Sequence, residues 1–231
     1  MGDIFTTELL SHLIIFLVNL VLAISIHEAA HAWTSLKWGD DTAYLLGRVT
    51  LNPISHTDPI GTLLIPIAAF IFGAIGGALG QIPLIGWGKP TPVNPRKWTD
   101  YKKGNFWVSI AGVLANFGLL IIGIILAKVL MMSGFQPIDF FNGKTTNPIV
   151  IFVSQLMLLN LSLGIFNLLP IPPLDGGKIL SNFVPDSWKP ALDLIEQFGF
   201  MLLLLFVYLG LFRLIIYPFL IGLFAIINAI G

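Results

Sequence analysis

The sequence predicts an all-α polytopic membrane protein, a bundle of about four to six membrane segments with one short β element beside its functional site. Three observations carry that expectation. The chain is 56% hydrophobic and only 10% charged, with a mean hydropathy of +0.89. Several stretches run for twenty or more mostly apolar residues, the length a helix needs to cross a bilayer. No stretch is long and polar enough to be a soluble domain, so residues 1–231 read as a single membrane-embedded domain.

The first segment starts behind Met1 to Glu8, which carries Asp3 and Glu8 but no Lys or Arg. A cleavable signal peptide needs a basic stretch there, so the apolar run from Leu9 reads as a permanent helix. It continues into HEAAHAWTSLKW without Gly or Pro. Beyond it, Tyr44 to Leu51 (YLLGRVTL) lies between the turn-prone Gly39-Asp40-Asp41 and Asn52-Pro53 and is predicted as a short strand. Ile60 to Leu84 is apolar but interrupted by Pro66, Gly73, Gly76, Gly77, Gly80 and Pro83. Gly86 to Pro95 is too rich in Gly and Pro for a helix and is expected to run extended. Asn105 to Met132 and Asn147 to Pro172 are cleaner spans. Phe198 to Ile230 holds 33 residues, about 50 Å as one helix, too long for one upright crossing. Gly210, Arg213 and Pro218 are its possible breaks, and one tilted helix and two shorter ones both fit.

Within the first span, His27, Glu28 and His31 form the run HEAAH. Helical positions four apart share a face, so the two imidazoles can bind one zinc ion, with Glu28 beside it. A carboxylate there can take a proton from attacking water and pass it to a leaving amine. Ionisable groups inside an apolar span are costly unless paired or metal-bound, which argues against a chance pattern. Catalytic zinc usually keeps three protein ligands. The chain has no Cys, so His or carboxylate must supply the third. His12, about four turns upstream, reads as interfacial or packing. Asp175 is better placed, between the proline-broken run from Asn167 and Gly176-Gly177, although a turn or capping aspartate fits its spacing equally well. Asn116, Asn160 and Asn167 are polar groups inside apolar runs, ordinarily there to hydrogen-bond between helices.

These residues resemble the site-2 protease family of intramembrane zinc metallopeptidases. The likeness rests on HEAAH, on AGVLAN from Ala111 to Asn116, and on NLLPIPPLDGG from Asn167 to Gly177. GRVTLNPISHTDPIGT (Gly47 to Thr62) and GKPTPVNP (Gly88 to Pro95) resemble the compact bacterial and archaeal members that lack a PDZ domain. The resemblance implies that His27, His31 and Asp175 ligate Zn2+ and that Glu28 is the general base. It also makes Asn167, and Asn116 with it, candidates to contact substrate or a developing oxyanion. His56 matches a family position too, as an accessory to the metal or as a loop histidine bonded to Asp58. The family usually reads AGP where this chain has Ala111-Gly112-Val113, so the helix shape there is expected to differ.

The implied activity is hydrolysis of peptide bonds in membrane-protein substrates within or near the bilayer. A substrate helix must unwind before attack, and the Tyr44 to Leu51 strand is expected to pair with it. A metal-binding transporter and a non-catalytic membrane scaffold are the rival classes. Zero net charge gives no sign of nucleic acid.

A zinc shared by the first span and Asp175 requires that span and Asn147 to Pro172 to run parallel. An odd number of crossings must then separate them, so Ile60 to Leu84 is expected to be re-entrant or a hairpin. With that topology Lys37, Arg48, Lys89, Arg96, Lys97, Lys102, Lys103, Lys178 and Lys189 share one face, opposed in loops only by Lys144. The positive-inside rule makes that face, and the site near it, cytoplasmic.

Overall fold

The computed structural model describes residues 7–74, 87–143 and 145–231. Among them are α1 (Thr7–Lys37), the short α2 (Thr42–Leu45), α3 (Ile65–Ala74), α4 (Tyr101–Met132), α5 (Pro148–Asn167), α6 (Asp175–Ser181), α7 (Lys189–Tyr208) and α8 (Leu211–Ile230). Five of these, α1, α4, α5, α7 and α8, are long and apolar enough to cross a membrane. The protein is a multi-pass membrane protein, as its composition requires.

Local chemistry sets the helix ends. At the end of α1 the Gly39 N–H donates to Leu36 O and the Asp40 N–H to Ser35 O, the paired bonds of a Schellman cap. Gly39 has φ of 102°, where a side chain is strained. Asp100 caps α4 by accepting from the Lys103 N–H at 3.0 Å. Asn147 caps α5, with Pro148 in the first turn, where its missing N–H costs nothing. The Phe198 to Ile230 run resolves into two helices. The break falls at Gly210, whose φ of 72° ends α7, while Pro218 lies inside α8.

The α4 and α5 helices form the centre of the bundle and α1 packs against both. Small residues let them approach: Gly123 of α4 faces Met157 of α5, and Gly164 of α5 faces Phe117 of α4. Leu20 and Ile24 of α1 meet Leu159 of α5 in a second apolar cluster. The α8 helix contributes Phe212, Ile216, Leu223 and Ile227 to the main core.

The chain returns beside the end of α1 before α4 begins. The Thr99 N–H donates to Trp38 O at 2.9 Å, and Lys97 pairs with Asp41 at 2.5 Å. Thus α4 runs antiparallel to α1, and α5, antiparallel to α4, runs parallel to α1, as parity requires. The two flanks of the intervening apolar segment also meet, the Trp87 N–H donating to Gly61 O at 3.1 Å and the Thr62 hydroxyl to Trp87 O at 2.8 Å. Within it, Pro59–Leu64 is a π-helical turn capped by Asp58, followed by α3. The remainder of that predicted segment, 75–84, lies outside the described residues, as does Lys144.

The predicted strand over Tyr44 to Leu51 does not form, and there is no strand among the described residues. Thr42–Leu45 is a helical turn. It is followed by a reversal at Gly47 with φ of 66°, where the Arg48 N–H folds back onto Ala43 O at 2.8 Å. Strand propensity needs a partner strand to express itself, and none is beside it. Trp87 to Asn94 has no helix, in line with its Gly and Pro content.

Candidate active site

Antiparallel register brings one face of α4 against the HEAAH turn of α1. Val108, Gly112 and Asn116, spaced by four, lie along that face. The Nδ1 of His31 bonds to Val108 O at 2.6 Å, and the Nδ1 of His27 bonds to Asn116 Oδ1 at 2.7 Å. Both partners only accept, so in a neutral ring the proton sits on Nδ1 and the Nε2 lone pair is bare. A methyl group built on Gly112 would lie 2.4 Å from His31 Nε2 and 2.5 Å from His27 Cε1. Only a glycine leaves room for both rings.

Asp175 reaches the same point from the other side of the bundle. After α5 the NLLPIPPL run turns back on itself and starts α6 with Asp175. The turn is tight: a methyl on Gly176 would sit 2.3 Å from the carbonyl oxygens of Leu168 and Leu169, and one on Gly177 2.4 Å from Pro172 N. Asn105 of α4 fastens the far end of α6, donating from Nδ2 to Lys178 O and Asn182 Oδ1, each at 2.9 Å. Lys178 pairs with Asp175 Oδ1 at 3.2 Å, leaving Oδ2 pointed at the histidines.

The three atoms form a small triangle. His27 Nε2 and His31 Nε2 are 3.0 Å apart, and Asp175 Oδ2 is 3.3 Å from the first and 3.1 Å from the second. His31 and Asp175 are buried and His27 is half-buried, and three lone-pair donors this close repel one another unless a proton or a metal cation sits between them. A tetrahedral site with ligand bonds of about 2.0–2.1 Å has ligands about 3.3 Å apart, so the donor set fits zinc in type and size. Among the described residues these three form the one His/Asp/Glu group close enough to hold a metal.

Glu28 lies beside that group on the wall of a cavity of about 1020 Å³, which His27, His31 and Asp175 also line. Its Oε2 accepts from the Thr91 N–H at 2.7 Å, and its backbone carbonyl accepts from the Thr91 hydroxyl at 3.0 Å. The irregular segment from Trp87 to Asn94 therefore clasps the Glu28 turn. That segment is anchored at its other end by Asp40, which is fully buried. Asp40 accepts from the Asn94 N–H at 2.7 Å, the Ser35 hydroxyl at 2.9 Å and the Thr42 N–H at 3.0 Å. Burial by itself would raise the Asp40 pKa, but the donors from Thr42, Asn94 and Ser35 outweigh it and hold the carboxyl below its ordinary range.

The remaining expected site residues fall in different places. Asn167 lines the cavity, with one amide N–H donating to Leu163 O at 3.0 Å. Asn116 has both ends of its amide engaged, Oδ1 by His27 and Nδ2 by Asn160 Oδ1 at 2.9 Å. His56 is fully buried and is not among the three converging residues. Its Nε2 donates to Thr50 O at 2.8 Å, while Asp58 caps Ile60 and Gly61 instead. Sequence reasoning overlooked Val108, Gly112 and Thr91 as site-builders. For the first two the available signal was the four-residue spacing that ends at Asn116.

Comparison with known proteins identifies the family of the chain. Residues 15–207 match the model of peptidase family M50. A Bacillus subtilis (strain 168) protein named "Putative zinc metalloprotease YwhC" is 36% identical over 203 residues, covering 88% of this chain and 84% of that one. Two mycobacterial proteins, each named "Putative zinc metalloprotease Rip2", are more distant. That of Mycolicibacterium smegmatis is 26% identical over 82% of this chain and 64% of its own length. That of Mycobacterium tuberculosis (strain H37Rv) is 29% identical over 80% and 62%. No solved structure matches the chain. The chain belongs to peptidase family M50, the site-2 protease family of metallopeptidases.

Proposed function

We propose that this protein is an intramembrane zinc endopeptidase that cuts membrane-protein substrates within or near the bilayer, with its site toward the cytoplasmic face. The observation that carries the reading is the convergence of His27 Nε2, His31 Nε2 and Asp175 Oδ2, with Glu28 on the same cavity wall. His27, His31 and Asp175 hold the metal. Zinc in that position supplies Lewis acidity, making water acidic enough to ionise near neutral pH and drawing charge from a carbonyl oxygen.

The chain's own groups do the rest. Glu28, gripped at Oε2 by the Thr91 N–H, takes a proton from the attacking water at its other oxygen and returns it to the leaving amine. Asn167 has a second amide N–H, beyond the one bonded to Leu163 O, to offer a developing oxyanion. A substrate helix has its carbonyls bonded internally and must unwind before one can enter the cavity. The site sits about 9–15 Å from the C-terminal end of α1, by helix rise from His27 and His31 to Lys37. That depth lets water in from the face that carries most of the loop lysines and arginines.

Comparing the membrane proteomes of cells carrying the intact protein and Glu28→Gln tests the reading. A transmembrane protein should accumulate uncut with Glu28→Gln. Identical proteomes, with both forms expressed at equal level, would count against proteolysis.

A further inference from the structure

We infer that Asn160 is a positioning residue for the metal site: acting through Asn116, it dictates which nitrogen of His27 carries the proton. The inference rests on the reading of His27 as a zinc ligand.

The two metal-facing histidines are set by different devices. His31 Nδ1 bonds to a backbone carbonyl, which can only accept, so its tautomer is fixed directly. His27 Nδ1 bonds to the side-chain amide of Asn116. An amide turned end for end would present NH2 instead of oxygen. It would then donate to Nδ1 and drive the proton to Nε2, the atom that faces His31 and Asp175.

Asn160 removes that alternative. Its Nδ2 donates to Leu156 O at 2.9 Å, one turn back on α5. Because a carbonyl accepts only, the Asn160 group facing it is NH2, and Oδ1 faces Asn116. Asn116 Nδ2 donates to that oxygen at 2.9 Å. Turning Asn116 over would set two acceptors against each other, and both side chains are fully buried, so no water can relieve the conflict. One backbone acceptor on α5 thus orients Asn160, which orients Asn116 on α4, which leaves His27 Nε2 on α1 free for the metal. Partners of this kind behind a metal-binding histidine are typically worth about tenfold to a hundredfold in metal affinity.

The test uses the full chain, metal-free, 15N-labelled at its four histidines and recorded at alkaline pH, where the His27 ring carries a single proton, with the His27 signals identified by their loss in His27→Gln. Nitrogen shifts separate protonated from bare ring positions without any need for zinc. The intact protein should show His27 protonated at Nδ1. Asn160→Leu should show a substantial Nε2-protonated population, and chelator competition should find zinc held about tenfold to a hundredfold more weakly. Asn160→Ser, whose hydroxyl is too short to reach Asn116, gives the same readout where the bulkier leucine variant does not fold. Asn160→Asp should behave like the intact protein. In this apolar setting its carboxyl stays protonated, donating to Leu156 O and accepting from Asn116. An unchanged His27 tautomer in Asn160→Leu and Asn160→Ser overturns the proposal, as does equal loss in Asn160→Asp. The expected tautomer shift in a protein that takes up no zinc would leave the relay standing and sink the zinc reading instead.

Discussion

Gly112→Ala is the smallest change that should damage the metal site from a neighbouring helix. The added methyl would stand 2.4 Å from His31 Nε2, 2.5 Å from His27 Cε1 and 2.7 Å from His27 Nδ1, where ordinary contact begins at 3.4 Å. Either the rings or the α1–α4 packing must therefore give by about 1 Å. Metal–ligand bonds tolerate only about 0.2 Å, and a misplacement of about 1 Å at a reacting centre can cost about a hundredfold in rate. We expect Gly112→Ala to weaken zinc binding at least tenfold by chelator competition and to slow cleavage about a hundredfold. Gly118→Ala, on the same helix with nothing within 4 Å of the added methyl, is the matched control and should change neither. Intact zinc affinity and rate in Gly112→Ala would show that the α1–α4 contact is not as close as described, and the tight-cradle reasoning would fail.

Other outcomes follow from the same structure. Asp40 is held ionised below the usual aspartate range by its three donors, so its stabilising effect is present above the unfolded pKa of about 3.9 and is lost as pH falls through the lower folded value. The melting temperature of the intact protein should drop in that acid window and that of Asp40→Asn should drop less; superimposable pH profiles would refute the assignment. Cysteines placed singly at Asp41, Thr99 and Asn142 of this Cys-free chain report topology to a membrane-impermeant thiol reagent on intact cells. Only Asn142 should label, whereas labelling at Asp41 or Thr99 would reverse the proposed orientation.

How much of this was legible in the sequence depends on the range of the interaction. HEAAH is a local pattern, and helical geometry alone puts His27 and His31 on one face. Asp175 lies 144 positions beyond His31, and its spacing fits a turn as well as a ligand; only the family resemblance favoured the second. Parity was legible because a bilayer allows few ways to bring two helix ends together, and the Thr99–Trp38 bond agrees with it. The strand over Tyr44 to Leu51 failed because β propensity was read without a partner, and the reversal at Gly47 was missed. Both Gly210 and Pro218 were visible as possible breaks, but nothing local says which yields: φ at Gly210 is positive, while Pro218 is accommodated inside α8. The roles of Gly112, Val108 and Asn160 depend on the register between α1, α4 and α5, which no single segment encodes.

Bound zinc per chain, measured on the purified intact protein, Glu28→Gln and Asp175→Ala side by side, tests the central claim most directly. The site built here requires about one zinc in the intact protein, about one in Glu28→Gln, whose carboxylate is not among the three converging ligands, and little or none in Asp175→Ala. Full zinc at unchanged affinity in Asp175→Ala would contradict it, because the metal would then be held without the carboxylate that closes the triangle.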